Sequence, residues 1–156
     1  MTGTSFLAID LGAESGRAML GRIGDRLTLD EVHRFSNGPV RVGNHIQWDV
    51  LRLWTEIQNG LRIAATHSSG SLAGIGLDTW GVDFGLLDAS DHLIGNPYHY
   101  RDARTNGMVD AACQRLSREE IYNQTGIQFM QLNTLFQLFA MCRERDPALQ
   151  SEQLEQ

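Results

Sequence analysis

Asp10, Gly12, Ser15, Gly16 and Arg17 stand directly after the apolar run Phe6-Leu7-Ala8-Ile9, and those residue types at that spacing can bind phosphate. A strand of that kind ends inside a sheet, so the residues after it stand at the sheet's carboxyl edge. Glycine permits φ > 0 and lets a bulky anion approach backbone N–H groups closely. A carboxylate at the strand tip can hold Mg²⁺, usually through water, while a glycine hairpin wraps the phosphates. No Lys follows Gly16, which separates this loop from the P-loop, and the spacing is not GxGxxG either. A tight turn with no ligand also places glycines here, so the motif alone suggests a phosphate loop of an ATP-using protein and no more.

A second cluster, Gly76-Leu77-Asp78-Thr79-Trp80-Gly81-Val82-Asp83, again follows an apolar strand. It reaches the same sheet edge as Asp10 if the two strands run parallel. Asp78, Thr79 and Trp80 combine an acceptor, a hydroxyl and an indole face, the mixture a sugar needs for its hydroxyls and its C–H face. From the residues alone, a β-bulge with a core Trp and a capping Asp is slightly the better reading. The third cluster, Tyr98-His99-Tyr100-Arg101-Asp102-Ala103-Arg104-Thr105, precedes a helix. Asp102 is placed as its N-cap, and Arg101 and Arg104 read as solvated arginines. His99, between two tyrosines, is a candidate site residue. His33, His45, His67 and His92 show no ligand spacing and read as surface or packing residues.

The elements that must position these clusters follow from periodicity. Strands are expected at 5–10, 16–23 and 27–35, with a hairpin turn at Gly24-Asp25. A polar link covers 37–46. A helix runs from about Asp49 to His67, with Val50, Trp54, Ile57, Leu61 and Ala64 forming its apolar face and Trp48 at its front. Strands at 72–78 and 82–87 follow, then a turn at Asp88-Ala89-Ser90-Asp91, and helices near 102–116, 118–124 and 133–144. Ser117-Arg118-Glu119-Glu120 has the capping-box form. The first three strands are too close for helical crossovers, so they form an antiparallel meander. The β-β-β-α-β-α order predicts an α/β domain with a mixed sheet, similar to the ribonuclease H-like unit of actin-like ATPases; fold analogy alone names no function.

The 156 residues suffice for one domain with a real core, and 42% hydrophobic with 21% charged residues is ordinary globular composition. A formal charge of −6 argues against a nucleic-acid surface. No apolar run is long enough to cross a membrane, and no secretory signal pattern opens the chain, which fits a cytoplasmic protein handling small molecules. Cys113 and Cys142, without CxxC spacing, read as buried free thiols.

With the three clusters in view, the sequence resembles the N-terminal half of the FGGY carbohydrate kinases, and within them the branch acting on L-rhamnulose. The match is carried by AIDLGAESGR at 8–17, HRFSNG at 33–38, WDV at 48–50 and IGLDTWGVDF at 75–84. YRDARTNG at 100–107, IYNQTGIQF at 121–129 and NTLFQL at 133–138 extend it over nearly the whole chain. The resemblance implies transfer of the γ-phosphoryl of ATP to the 1-hydroxyl of L-rhamnulose. It implies that Ala13, Glu14, Ser15, Gly16 and Arg17 line the ATP phosphates and that Asp10 sits by Mg²⁺. Gly81 would touch the sugar, with Asp78, Thr79 and Trp80 beside it. Phosphoryl transfer depends on positioning and charge neutralisation, which backbone N–H groups, Arg17 and Mg²⁺ can supply.

Two departures from the family pattern matter. Glu14 replaces a small residue; an acid facing polyphosphate repels it, so Glu14 points outward or the site is weakened. The chain also ends at Gln156, whereas family members carry a second domain of the same fold. That half supplies the aspartate that takes the sugar proton and the adenine pocket, and no aspartate here matches the base. The expected organisation is a kinase domain over 1–146 and a frayed polar tail over 147–156, with the second domain absent. SEQLEQ reads like a cut or altered end. The chain alone is expected to release no ADP, and to be either part of a kinase or a non-catalytic sugar- and phosphate-binding half-domain. Its inner face, uncovered without the second domain, invites self-association or a partner chain.

Overall fold

The computed structural model describes residues 3–68 and 71–144. In chain order the elements are β1 (Thr4–Leu11), β2 (Ser15–Ile23), β3 (Leu27–Ser36), β4 (Pro39–Val42), β5 (His45–Trp48), α1 (Val50–His67), β6 (Gly74–Thr79), a short 3-10 turn (Ala103–Thr105), α2 (Met108–Cys113), α3 (Arg118–Thr125) and α4 (Thr134–Glu144). They fall into two compact units, one made of residues up to Gly38 with Asp49–Gly81, the other of Pro39–Trp48 with the chain from Val82 onward.

The first unit is a mixed four-stranded sheet of order β3-β2-β1-β6 with α1 on one face. β1–β2 and β2–β3 are antiparallel, as short connections require, and β1–β6 is parallel because α1 carries the crossover. Alternation along β1 sends Leu7, Ile9 and Leu11 into a core shared with Ala18, Leu20, Phe35, Leu53 and Ala64. Asp49 caps α1, its carboxylate accepting the Arg52 N–H. The face of α1 turned to the sheet is Leu53, Ile57, Gly60, Leu61 and Ala64, so Trp54 lies off it and is 56% exposed, contrary to its expected core place. Two stripes fit a 3.6-residue period here. Gly60 selects one, because its missing side chain lets α1 close onto Ala18: a Cβ at position 60 would lie 2.9 Å from the Ala18 Cβ.

The opposite face of this sheet is divided by chemistry. Phe6, Ala8, Met19, Gly21, Ile23, Leu27 and Leu29 line an apolar groove. Charged residues stand where β1 ends: Asp10 pairs in register with Arg17 on β2 and with Asp78 on β6, and Arg17 pairs with Arg34 on β3.

In the second unit the hairpin β4–β5 takes up most of the expected polar link and runs on to Trp48; sequence patterning missed it because the strands are only four residues long. Residues 82–87 form no strand; a single bridge, Leu87 to Leu93, spans a turn in which the Asp88 carboxylate accepts the N–H groups of Ser90 and His92. Those two donors, the His92 N–H foremost, hold the Asp88 carboxyl below its usual range. The helix expected over 102–116 is broken into the 3-10 turn and α2, because Gly107 takes φ 73° between them. α3 starts on the expected capping box, Ser117 and Glu120 bonding reciprocally, and stops at Gly126 in the left-handed region. Cys142 is exposed and Cys113 half-buried, so neither is the buried thiol expected. The expected tail over 147–156 lies outside the described residues.

Candidate functional site

The glycine loop, residues 12–14, joins β1 to β2 and is held by its own backbone and by one asparagine. The Gly12 N–H donates to the Ser15 carbonyl at 3.0 Å. A Cβ on Gly12 would stand 2.7 Å from that oxygen, so only glycine closes the turn. Asn37 clamps the loop from the end of β3: its backbone N–H donates to the Glu14 carbonyl at 2.9 Å and its side-chain amide to the Gly12 carbonyl at 2.8 Å. Sequence reasoning assigned Asn37 no role; the only signal was its place in the HRFSNG match. Glu14 is exposed, which accords with an outward-pointing side chain, and Ala13 and Ser15 are half-buried. Gly16 meets the core instead of the loop surface. A Cβ there would fall 2.1 Å from the Phe35 ring, so packing demands this glycine whether or not a ligand does.

Asp10 and Arg17 are cross-strand partners, joined by an ion pair of 2.8 Å between Arg17 Nε and an Asp10 carboxylate oxygen. Both stay accessible, with side chains 40% and 44% exposed. Asp78 lies in register with Asp10 and Thr79 with Leu11, and the Trp80 N–H donates to the Leu11 carbonyl at 3.3 Å. The parallel pairing on which their common edge depended is therefore present. The Asp78 carboxylate accepts the N–H of Thr79. Trp80 packs against the α1-side core, while Gly81 is exposed and a Cβ there would meet open space. Among the described residues no three His, Cys, Asp or Glu gather as a metal cage. An exposed carboxylate at a strand tip beside a glycine loop instead fits Mg²⁺ carried in with phosphate and water, the cation's usual habit.

The third cluster, in the second unit, is a buried framework. Asp102 caps the 3-10 turn, accepting from the Arg104 N–H at 2.9 Å, from the Ile46 N–H at 2.7 Å and from His45 Nδ1 at 3.1 Å. Burial alone raises its pKa, and these donors, the Ile46 amide foremost, outweigh it, so the carboxyl is held below its usual range. Arg104 is not the solvated arginine its sequence suggests: it is 6% exposed, bonded to the Gln137 backbone carbonyl at 3.1 Å and side-chain oxygen at 2.8 Å, and stacked 4.0 Å above the Tyr98 ring. Of the two arginines read as solvated, only Arg101 is exposed. His99 is fully buried, in stacking contact with Trp48 at 4.2 Å and with Tyr100 at 4.4 Å, and desolvation pushes its pKa down. Its Nδ1 accepts the Arg101 N–H, so the neutral ring carries its proton on Nε2. Asp83 accepts from Trp48 Nε1 at 2.6 Å and Gln137 Nε2 at 3.0 Å, one donor on each oxygen. Val82, beside it, is held at φ 71°, a costly conformation for a β-branched residue, with its carbonyl accepting from Thr134 and Gln137.

An α/β unit with a β-β-β-α-β order, a mixed sheet and a glycine hairpin between its first strands defines a domain of the actin-like ATPase class. A xylulose kinase from Lactobacillus acidophilus superposes with a TM-score of 0.81 at 15% identity, over 95% of this chain and 30% of that one. A Plasmodium falciparum glycerol kinase solved with ADP gives 0.73 at 15% identity, over 95% and 30%. Residues 5–150 match the N-terminal domain of the FGGY family of carbohydrate kinases, and the chain belongs to that family. It is 47% identical over 148 residues to a rhamnulokinase of Bacteroides thetaiotaomicron, covering 94% of this chain and 30% of that protein. It is 45% identical over 155 residues to a rhamnulokinase of Mannheimia succiniciproducens, covering 97% and 32%. The chain thus spans about a third of the length of the curated relatives it matches.

Proposed function

We propose that this chain forms the phosphate- and sugar-binding part of a kinase that moves the γ-phosphoryl of ATP to the 1-hydroxyl of L-rhamnulose. The observation that carries the reading is the registered row Asp78–Asp10–Arg17 beside the glycine loop, which groups the motif residues on one sheet edge. In this reading Ala13, Glu14 and Ser15 receive the phosphates on their backbone N–H groups, Gly16 shapes the end of the loop from its buried place on β2, and Arg17 pairs with a phosphoryl oxygen. Asp10 holds Mg²⁺, which offsets phosphate charge when bound. Asp78 and Thr79 orient the sugar, Trp80 contributing no more than its outer edge because it packs against the α1-side core, and the open space at Gly81 lets the sugar approach the backbone.

The proton of the sugar hydroxyl needs a base, and Asp83 and Asp102 are poor candidates because each carboxylate is engaged by donors on both oxygens. In this reading the base and the adenine pocket would come from residues outside these 156, as the family resemblance implies. That engagement also favours a second reading, a non-catalytic binding half, which shares the site and differs only in turnover.

Titration of ¹⁵N-labelled chain with Mg·ATP tests the site. Shifts concentrated at residues 10–17, abolished in Asp10→Asn, are expected; shifts spread over the surface or absent would refute it. ADP release with L-rhamnulose, expected at background for this chain alone, separates the two readings: turnover by the chain would place the base within it. The intact mass of the cellular product, at or well above 17.4 kDa, tells whether the natural protein carries the rest.

A further inference from the structure

We propose that Arg34 is a second arginine of the phosphate site, contacting the polyphosphate together with Arg17; the inference rests on reading the 12–17 loop as that site. Arg34 lies on β3 directly opposite Arg17, one strand further from Asp10. Residues so paired point to one face with Cβ atoms about 5 Å apart, so both guanidinium groups overlook the same patch. Like charges directly opposite each other destabilise a sheet unless each is compensated. Here each has its own carboxylate: Asp10 for Arg17, at 2.8 Å, and Glu31 for Arg34, with Arg34 Nε 2.9 Å from Glu31 Oε1 and a second bond from the same guanidinium to Oε2.

The geometry of these pairs is that of anchors. The Glu31–Arg34 fork is bidentate, which fixes the guanidinium plane and leaves its outer N–H groups unspent. Arg17 uses only Nε on Asp10 and keeps most of its donors. Arg34 stays 50% exposed, so the pair does not bury it as a structural ion pair would. Mutual support holds the charges in place: Glu31 keeps Arg34 protonated and is itself held below its usual pKa, first by its hydrogen bond to Arg34. A register shift between Ala18 and Met19 sets this arrangement. It leaves Val32 unpaired, so that Glu31 and Arg34, three apart, fall on the same face. Two fixed cations one strand spacing apart suit an extended polyanion better than a single phosphate.

The test is calorimetric titration of the 156-residue chain with Mg·tripolyphosphate, a probe that needs no adenine pocket. Arg34→Gln is compared with Arg17→Gln and with Arg26→Gln, which removes the same charge from the exposed β2–β3 turn. Circular dichroism confirms that each variant is folded. Arg34→Gln is expected to weaken binding about tenfold or more, as Arg17→Gln does, against about twofold for Arg26→Gln. Orthophosphate binding should fall less than tripolyphosphate binding in Arg34→Gln. Arg34→Lys, which keeps the charge without the fork, is expected between wild type and Arg34→Gln and serves in its place if Arg34→Gln misfolds. Loss in Arg17→Gln with Arg34→Gln no weaker than Arg26→Gln overturns the role of Arg34 and leaves the phosphate site standing. No uptake of the probe by the wild-type chain overturns both.

Discussion

Replacing Gly16 with alanine separates two reasons for a glycine in the loop, room for a phosphate and room for a ring. The added Cβ would lie 2.1, 2.4 and 2.8 Å from three atoms of the Phe35 ring. Carbon atoms pack at about 3.5 Å or more, so the ring must retreat by roughly 1.4 Å. It has little freedom to do so, because Phe35 is buried against the sheet–helix core. Overpacking of this kind costs about 1–3 kcal/mol. An approach as close as 2.1 Å puts that cost at the upper end of the range, and a strand gains roughly 0.5–1 kcal/mol when glycine becomes alanine, so a net loss of about 2 kcal/mol is expected. Phe35→Leu, which shortens the ring, is expected to cost about 1 kcal/mol by itself. The double variant should lose about 1–2 kcal/mol, less than the sum of about 3, because the methyl group occupies space the ring has left. Urea unfolding of the four proteins, followed by circular dichroism, measures the cycle. Gly16→Ala within about 0.5 kcal/mol of wild type, or strict additivity, would refute the argument. Recovered stability with phosphate binding still lost would show that the loop needs the glycine for its ligand as well.

Three other expectations concern the second unit. Arg104→Ala should destabilise by about 2–4 kcal/mol, because it strips two hydrogen bonds from Gln137 and uncovers Tyr98; a change under about 0.5 kcal/mol in urea unfolding would contradict the burial seen. Val82→Gly should stabilise by about 1 kcal/mol by releasing a positive φ, and an unchanged or lower urea midpoint would mean that lost side-chain packing outweighs the relief. His99 has a folded pKa below its ordinary 6.5, so its neutral form is favoured by folding. That contribution is complete above pH 6.5 and is lost as pH falls through the folded value; Asp102, also lowered, loses its share further down, below 3.8. Melting temperature should drop between pH 7 and 5, and His99→Gln should flatten that slope; an unchanged slope would refute the assignment.

The meander, α1 and the two strand-end motifs were legible because each is local. Alternation over β1, glycines at a strand end and a 3.6-residue stripe all act within one segment, as does the capping box of α3. The hairpin β4–β5 escaped because four-residue strands carry too few alternations, and the 82–87 run was overread because apolar residues can pack without pairing. Trp54 and Arg104 went astray for one reason. Sequence assigns aromatic residues inside and arginine outside on average, whereas the partner decides the case: Gly60 turns α1 so that Leu53 faces the sheet, and Gln137 and Tyr98 give Arg104 a buried place.

The amino-acid sequence by itself determined the three-strand meander, α1 and the strand after it, the family and the residues able to handle phosphate and sugar. Tertiary structure alone decided which of them meet. Asp10, Arg17, Asp78 and Arg34 stand in one row because three strand pairings hold in register, a pairing that joins residues up to 68 positions apart, Asp10 to Asp78. A single-residue slip in any pairing would send that strand's side chain to the other face; short turns set the two hairpin registers, whereas nothing local in the sequence sets the β1–β6 register and the packed core beneath it does.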